Sequence, residues 1–323
     1  MINLKSRTVS VVLSFYNEEE VLEELVRRLR NIFQGTLKNL ISQYELIFVD
    51  DNSTDRSKEI LVTLAKDYND IKIIRMSRNF GVSQCVLAGM EYASGDAVIY
   101  MDADLQDPPE VIPIMVNHWT NEGVDVVHTK RISRKGEPRL KLWVTRLAYK
   151  IIRIFSDIAI ESEVGDFKLL SKRVVDQVIR FRENKPFIRG IVNWVGFEQK
   201  TIEYKREPRY AGETKYPFYG RRVILNFLDS ALISFSSIPL RIGLFLGFLV
   251  SLGAFIYLVL IFVMKYLGIN IPGWSAIMAT LLVLGGIQLL TIGIIGLYLN
   301  EIFLESKHRP NYIVKETYGF ETD

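Results

Sequence analysis

Asp102 and Asp104 flank a single alanine in the run DADLQDPPE, residues 102–110, directly after the apolar stretch Ala97–Met101. Two carboxylates this close at the end of a buried strand repel each other unless a positive charge sits between them. A hard divalent cation, Mg2+ or Mn2+, answers that need, because it takes a few carboxylate oxygens and completes its shell with phosphate oxygens. Gln106 adds a neutral oxygen. A lone D-x-D is common in solvated turns; the strand before this one and the Pro-Pro helix start after it raise it above that background. A second acidic pair, Asp50 and Asp51, stands in VDDNSTD, residues 49–55. One of the two can accept hydrogen bonds from a base or ribose, while Ser53, Thr54 and Asp55 start the next helix as caps and dipole partners. The third cluster is SFYNEEE, residues 14–20, where the backbone after Phe15 and the side chains of Tyr16, Asn17 and Glu18 can line a nucleotide pocket.

Those clusters share one edge if the elements around them alternate. Thr8–Phe15, Tyr44–Asp50, Lys72–Met76, Ala97–Met101 and Val124–Thr129 read as short β-branched strands. Glu18–Gln34, Asp55–Tyr68, Gly81–Ala93 and Pro109–Glu122 read as the helices between them. Strand and helix taking turns predicts a parallel sheet covered on both faces, with ligands at the carboxyl ends of its strands. Residues 131–215 are mixed: a basic stretch (Arg131, Arg134, Lys135, Arg139, Lys141), an amphipathic helix ending near Ser156, and strands over Phe167–Ser171 and Phe197–Tyr204.

The apolar surplus lies at the other end. Hydrophobic residues make up 49% of the 323 and charged residues 24%. Ile242–Met264 runs 23 residues without a charge and Ala276–Asn300 runs 25. Each is long enough for a hydrocarbon core of about 30 Å at about 1.5 Å per residue; buried core helices rarely stay uncharged so long. Arg221, Arg222 and Arg241 precede the first span, Lys307, Arg309 and Lys315 follow the second, and Lys265 alone lies between. The positive-inside rule then predicts a multi-pass protein of the cytoplasmic (inner) membrane with both termini and the catalytic domain in the cytoplasm. Phe218–Phe235 carries one apolar face behind Arg221 and Arg222 and is expected to lie along the membrane interface. The domains read as 1–215 catalytic, 216–240 juxtamembrane, 241–300 a two-helix hairpin and 301–323 a cytoplasmic tail. A net charge of +3 points to no polyanion, so nucleic acid is not an expected partner. The single cysteine, Cys85, excludes an internal disulfide framework and fits a reducing compartment. The first apolar run, Val9–Phe15, is too short for a signal peptide.

Taken together, the three acidic clusters resemble glycosyltransferase family 2, the GT-A fold of inverting nucleotide-sugar transferases. RNFGVSQCVLAGMEYASGD (78–96) extends the likeness, and GDFKLLS (165–171) and REPRYAGETKYP (206–217) narrow it to polyprenyl-phosphate glycosyltransferases, relatives of dolichol-phosphate mannose synthase. Two C-terminal spans with PGW between them, then GGIQLL and IIGLYLNEIF, resemble the bactoprenol glucosyltransferase branch. The likeness covers about residues 8–315. It implies that Asp102, Asp104 and Gln106 hold Mg2+ or Mn2+ and, through it, the donor diphosphate, and that Phe15, Tyr16, Asn17, Glu18, Asp51 and Asp102 bind the donor nucleotide. It assigns Arg131 and Arg209, with Arg139 and Lys215 as weaker candidates, to the acceptor phosphate, a task suited to the guanidinium fork; the alternative for each is a solvated face or attraction to anionic lipid. Asp157, with Asp104 a catalytic candidate, is the conventional general base, or else orients the acceptor or caps the preceding helix. Relatives usually carry arginine where this chain has Lys168, which keeps the charge and loses the bidentate geometry.

The implied activity is transfer of a hexose to a polyprenyl phosphate in the bilayer, with UDP-glucose the favoured donor and UDP-N-acetylglucosamine, an aminoarabinose donor and GDP-mannose as alternatives. A processive synthase needs more spans and a QxxRW-type motif, both missing. A scaffold or flippase component does not need the Asp102/Asp104 pair. Glycines 285, 286, 293 and 296 are compatible with close helix contacts in a homo-oligomer, a tetramer included.

Overall fold

The computed structural model describes residues 7–132, 164–183, 186–206, 238–268 and 273–320. The expected interfacial helix and the candidates Arg139, Asp157, Arg209 and Lys215 lie outside the described residues. Contacts divide the chain into two units: a sheet with its helices, to which the chain returns from Pro310 onward, and a pair of long apolar helices.

Thr8–Phe15 forms β1, buried from Val9 onward because both faces of the sheet are covered. Gln43–Asp50 (β2), Ile71–Met76 (β3) and Ala97–Asp102 (β4) join it in parallel, in the order β3-β2-β1-β4. Between them run α1 (Leu22–Asn31, extended by a π-turn to Thr36), α2 (Ser57–Asp67) and α3 (Val82–Tyr92). A 3-10 turn at Pro109–Val111 leads into α4 (Ile112–Glu122), which stops at Gly123 in the left-handed region, and β5 follows (Val126–Arg131). Leu22, Leu25 and Leu29 of α1 and Ile112, Met115 and Val116 of α4 pack with Val9, Val11, Leu13, Ile99 and Met101 in one core. On the opposite face α3 lies almost in contact with the backbone of β1. A Cβ on Gly89 would stand 2.2 Å from Val12 Cγ1, so only glycine permits that approach.

The sheet is mostly parallel, as expected of a GT-A fold, with two antiparallel members. Val164–Ser171 forms β6, three residues longer than the sequence pattern indicates, and it runs antiparallel between β4 and β5. α5 (Lys172–Val178), α6 (Ile188–Trp194) and β7 (Gln199–Tyr204, parallel to β5) follow. Val314–Tyr318, expected to be tail, forms β8 and pairs antiparallel with β3. The complete order is β7-β5-β6-β4-β1-β2-β3-β8. Because β6 is reversed, its first residues, Gly165 and Asp166, come to the same edge as the ends of β4 and β5, which is how they reach the acidic loops.

In the second unit α7 (Ile238–Tyr266, 29 residues) and α8 (Trp274–Ser306, 33 residues) pack on each other. Gly247–Met264 and Val283–Ser306 are long and apolar enough to cross a membrane. Phe248, Phe255 and Phe262, one residue every two turns, are each more than 60% exposed. A helix in water would hide such a stripe; one in lipid has no reason to.

Candidate active site

Four carboxylates meet at the carboxyl edge: Asp102 at the end of β4, Asp104 and Asp107 in the loop after it, and Asp166 on β6. Two of them have cationic partners. Asp107 is buried and accepts from Arg131 Nη2 (3.2 and 3.3 Å) and from the Tyr204 hydroxyl, with Arg206 Nε at 3.5 Å. Asp166 takes both branches of Arg189, with Nε 2.6 Å from Oδ1. Burial raises the Asp166 carboxyl, and Arg189 more than offsets it, leaving the group below its ordinary value. Asp102 and Asp104 form no ion pair among the described residues. Asp102 accepts from the Ser14 hydroxyl at 3.2 Å and Asp104 from the Gln106 amide at 3.1 Å. Burial, then the nearby charges of Asp166, Asp104 and Asp107, push the Asp102 carboxyl up to about 7. Between Asp104 and Gln106, Leu105 adopts φ 55°, costly for a leucine, with its side chain buried.

The donor set fits a hard cation. No group of three or more His, Cys, Asp or Glu forms a closed cage among the described residues. Mg2+ and Mn2+ need no such cage when phosphate oxygens complete the shell, and the uncompensated charge is concentrated on the two residues that the D-x-D spacing singles out.

The neighbouring loops after β1 and β2 are bound to each other. Asn17, at φ 55°, donates its amide to Ser53 Oγ (2.9 Å) and accepts the Thr54 amide on its side chain (2.8 Å). The Glu18 amide donates to Ser57 Oγ at 3.0 Å, and the Asp51 amide donates to the Phe15 carbonyl at 3.0 Å. Asp51, nearly buried, accepts the amides of Phe80 (2.7 Å) and Gly81 (2.9 Å), and thereby ties the loop before α3 to the same edge. A carboxylate has about four acceptor sites, so these bonds leave Asp51 capacity for a ligand. Thr54 is exposed and Asn17 half-buried. Ser53 and Thr54 do not cap α2 as expected: their hydroxyls are drawn to Asn17, and Asp55 accepts the Ser57 amide at 3.0 Å instead.

Residues 10–179 match the family model described as glycosyl transferase family 2. The chain belongs to that family. Relatives align over nearly its whole length. An uncharacterized glycosyltransferase of Bacillus subtilis, YkcC, is 42% identical over 97% of this chain and 94% of its own. The bactoprenol glucosyl transferase of Shigella phage SfV is 37% identical over 95% and 98%. Among solved structures, glucosyl-3-phosphoglycerate synthase from Mycobacterium tuberculosis has 18% identity over 71% of this chain and 79% of that one, with a TM-score of 0.48.

Within this family 2 enzyme, the edge gathers Phe15, Tyr16, Asn17, Glu18, Asp51, Asp102, Asp104, Gln106 and Arg131 in one place. Arg131 stands there committed: its Nε donates to the Tyr204 hydroxyl at 3.1 Å and its Nη2 to Asp107. Burial works against its charge, and Asp107 and Tyr204 outweigh that, so its pKa rises. Burial and Asp107 push the Tyr204 hydroxyl up to about 12. Sequence reasoning missed Asp107, Asp166, Arg189 and Tyr204. Asp107 lies inside the quoted DADLQDPPE run and Asp166 inside GDFKLLS, whereas Arg189 and Tyr204 have no local signal. Lys168 lies one row deeper, paired in register with Tyr100 on β4 and His128 on β5. It is fully buried, and its Nζ, the Tyr100 hydroxyl and His128 Nδ1 all lack a hydrogen-bond partner among the described residues. Burial brings the Lys168 ammonium down to about 7, and burial with Lys168 nearby brings His128 down to about 4.

Proposed function

We propose that this glycosyltransferase moves glucose from UDP-glucose to undecaprenyl phosphate, or a similar polyprenyl phosphate, at the cytoplasmic face of the membrane, with inversion at the anomeric carbon. The observation that carries the reading is the uncompensated Asp102/Asp104 pair on a chain that also holds two uncharged spans. The alignment with proteins named bactoprenol glucosyl transferase, over 95% of this chain and 98% of theirs, supports the acceptor and the sugar.

In this reading the loops at Tyr16–Glu18 and Asp50–Asp55 seat the nucleoside. Asp102 and Asp104, with Gln106, would hold Mg2+ or Mn2+, which would supply positive charge against the departing diphosphate. An acceptor phosphate oxygen forms the new bond to the anomeric carbon as the bond to the diphosphate oxygen breaks on the opposite face, releasing UDP. A phosphomonoester has a second pKa of about 6, so it arrives largely ionised and needs little help from a base. Asp157 is then an orienting group or a weak base, and Arg139, Arg209 and Lys215 the cations for the acceptor phosphate. Arg131 holds Asp107 in place and reaches the acceptor only if that pairing is shared. The polyprenyl tail stays in the bilayer, since each methylene removed from it costs about 0.8 kcal/mol, so the spans bring the site to the headgroup plane.

A donor panel tests this: purified full-length protein, short-chain polyprenyl phosphate, Mg2+ or Mn2+, and UDP-glucose, UDP-N-acetylglucosamine, GDP-mannose or an aminoarabinose donor. UDP release from UDP-glucose with a β-linked lipid product is expected. Transfer from another donor revises the sugar alone, and sugar-nucleotide turnover with no lipid product removes the acceptor assignment.

A further inference from the structure

Beneath the Asp50–Asp55 loop lies a contact that the reaction as described does not use. Arg75, on β3, is mostly buried and faces three partners. Its Nε is 3.3 Å from Asp50 Oδ2, its Nη2 donates to the Ser53 carbonyl at 3.4 Å, and its Nη1 donates to Glu316 Oε1 at 3.2 Å. Asp50 is 1% exposed, and its other oxygen accepts the Ser53 amide at 2.7 Å. The guanidinium therefore supports both ends of the turn that presents Asp51, Ser53 and Thr54. Its third partner comes from far along the chain. Glu316 lies on β8, directly opposite Arg75 in the ladder, and also meets Lys58 Nζ of α2 at 2.7 Å.

β8 is seated specifically. The Ser77 amide donates to the Ile313 carbonyl at 2.9 Å, Tyr312 donates to Glu91, and the Phe320 ring meets Tyr92 edge-on at 5.2 Å. Gly319 has φ 79°, and a Cβ there would stand 2.6 Å from the Ile71 carbonyl oxygen, so the strand ends on a residue that only glycine can supply. A segment held so closely against β3 is part of the catalytic sheet, although it follows both apolar helices in sequence.

We propose that β8 is a positioning element for donor binding, with Glu316 holding the Arg75 guanidinium under the Asp50–Asp55 loop so that the loop keeps its nucleotide-binding shape. This rests on the reading that the loop binds the donor nucleoside. Without the Glu316 charge, Arg75 keeps one buried carboxylate and loses the partner that fixes its outer side, and the carbonyl and carboxylate it supports gain freedom. Donor binding weakens while the acceptor side and the chemical step do not.

The test uses full-length protein in detergent with Mn2+, and titrates UDP by calorimetry beside steady-state kinetics. Glu316→Gln should weaken UDP binding and raise the donor KM by about five- to tenfold, the range expected for an indirect contact. The kcat and the KM for polyprenyl phosphate should stay within about twofold by the same reasoning. Lys315→Gln, on the same strand with an exposed side chain, should change none of these. If Glu316→Gln does not fold, Arg75→Lys serves, because an ammonium cannot hold three separated partners as the fork does, and it should show the same donor-specific loss. Wild-type UDP affinity in either variant overturns the proposal and leaves the donor reading standing. Failure of the wild-type protein to bind UDP overturns both.

Discussion

At the scale of single residues, the site is a problem of unbalanced charge. Asp102 titrates near 7 in the folded chain against an ordinary 3.8. Between those values the folded state holds a proton that the unfolded state has lost, so stability falls as pH rises through the window, by up to about 1.4 kcal/mol per pH unit. A divalent cation bound at Asp102 would displace that proton. Mn2+ should therefore raise the melting temperature more at pH 8 than at pH 6, and Asp102→Asn should remove both the metal effect and its pH dependence. Equal shifts at the two pH values would place the ion elsewhere. Lys168 poses the converse case. Its folded pKa of about 7 lies below the ordinary 10.5, so between the two the unfolded chain carries the extra proton and stability rises with pH. Lys168→Met removes a buried ammonium that has no hydrogen-bond partner among the described residues, at little change in volume. It should stabilise the protein at pH 7 by about 1–3 kcal/mol, with the gain shrinking toward pH 10 in urea titrations. A destabilised variant would mean that Lys168 has a partner outside the described residues.

At the scale of elements, what was legible followed from local pattern. Tyr16–Glu18, Asp51 and Asp102–Gln106 each end a strand of the parallel core, and a parallel core brings strand ends to one edge without further information. Asp166 was illegible because it reaches that edge through β6, whose run VGDFKLLS fits a parallel or an antiparallel place equally well, and Arg189 on α6 and Tyr204 on β7 are brought there by the elements that follow it. The direction of β6 is decided by pairing with β4 and β5 rather than by its own residues. β8 was missed for another reason: VKETY lies on the sheet's rim, mostly exposed, and lacks the apolar alternation that marks a half-buried strand. Tyr204, contributed by β7, illustrates what such elements add. Tyr204→Phe leaves Asp107 buried with one donor fewer and should cost about 1–3 kcal/mol in chemical denaturation. It should also weaken the Mn2+-induced shift, since Asp107 anchors the loop that carries Asp104. Unchanged stability would show that Arg131 and Arg206 suffice to hold Asp107.

At the scale of the whole molecule, β8 restricts the ways in which α7 and α8 could cross a bilayer. A strand hydrogen-bonded to β3 lies in the same compartment as β3, and the only long apolar helices among the described residues fall between them. At about 1.5 Å per residue, α7 and α8 measure about 43 and 50 Å, each more than the roughly 30 Å hydrocarbon core. Two crossings return the chain to its starting side; one crossing does not. The charges fit a two-crossing hairpin, with Lys307, Arg309 and Lys315 after the second apolar helix and Lys265 alone between the two. Cys85 is the single cysteine and is buried, so introduced cysteines can be read against a quiet background. A membrane-impermeant maleimide should label Lys66→Cys, in the sheet unit, and Arg309→Cys, after α8, only in inverted vesicles, and Leu267→Cys, after α7, only in right-side-out vesicles. Arg309→Cys labelling together with Leu267→Cys would break the hairpin. Lys66→Cys labelling from outside would put the sugar nucleotide site on the wrong side of the membrane for a cytoplasmic donor.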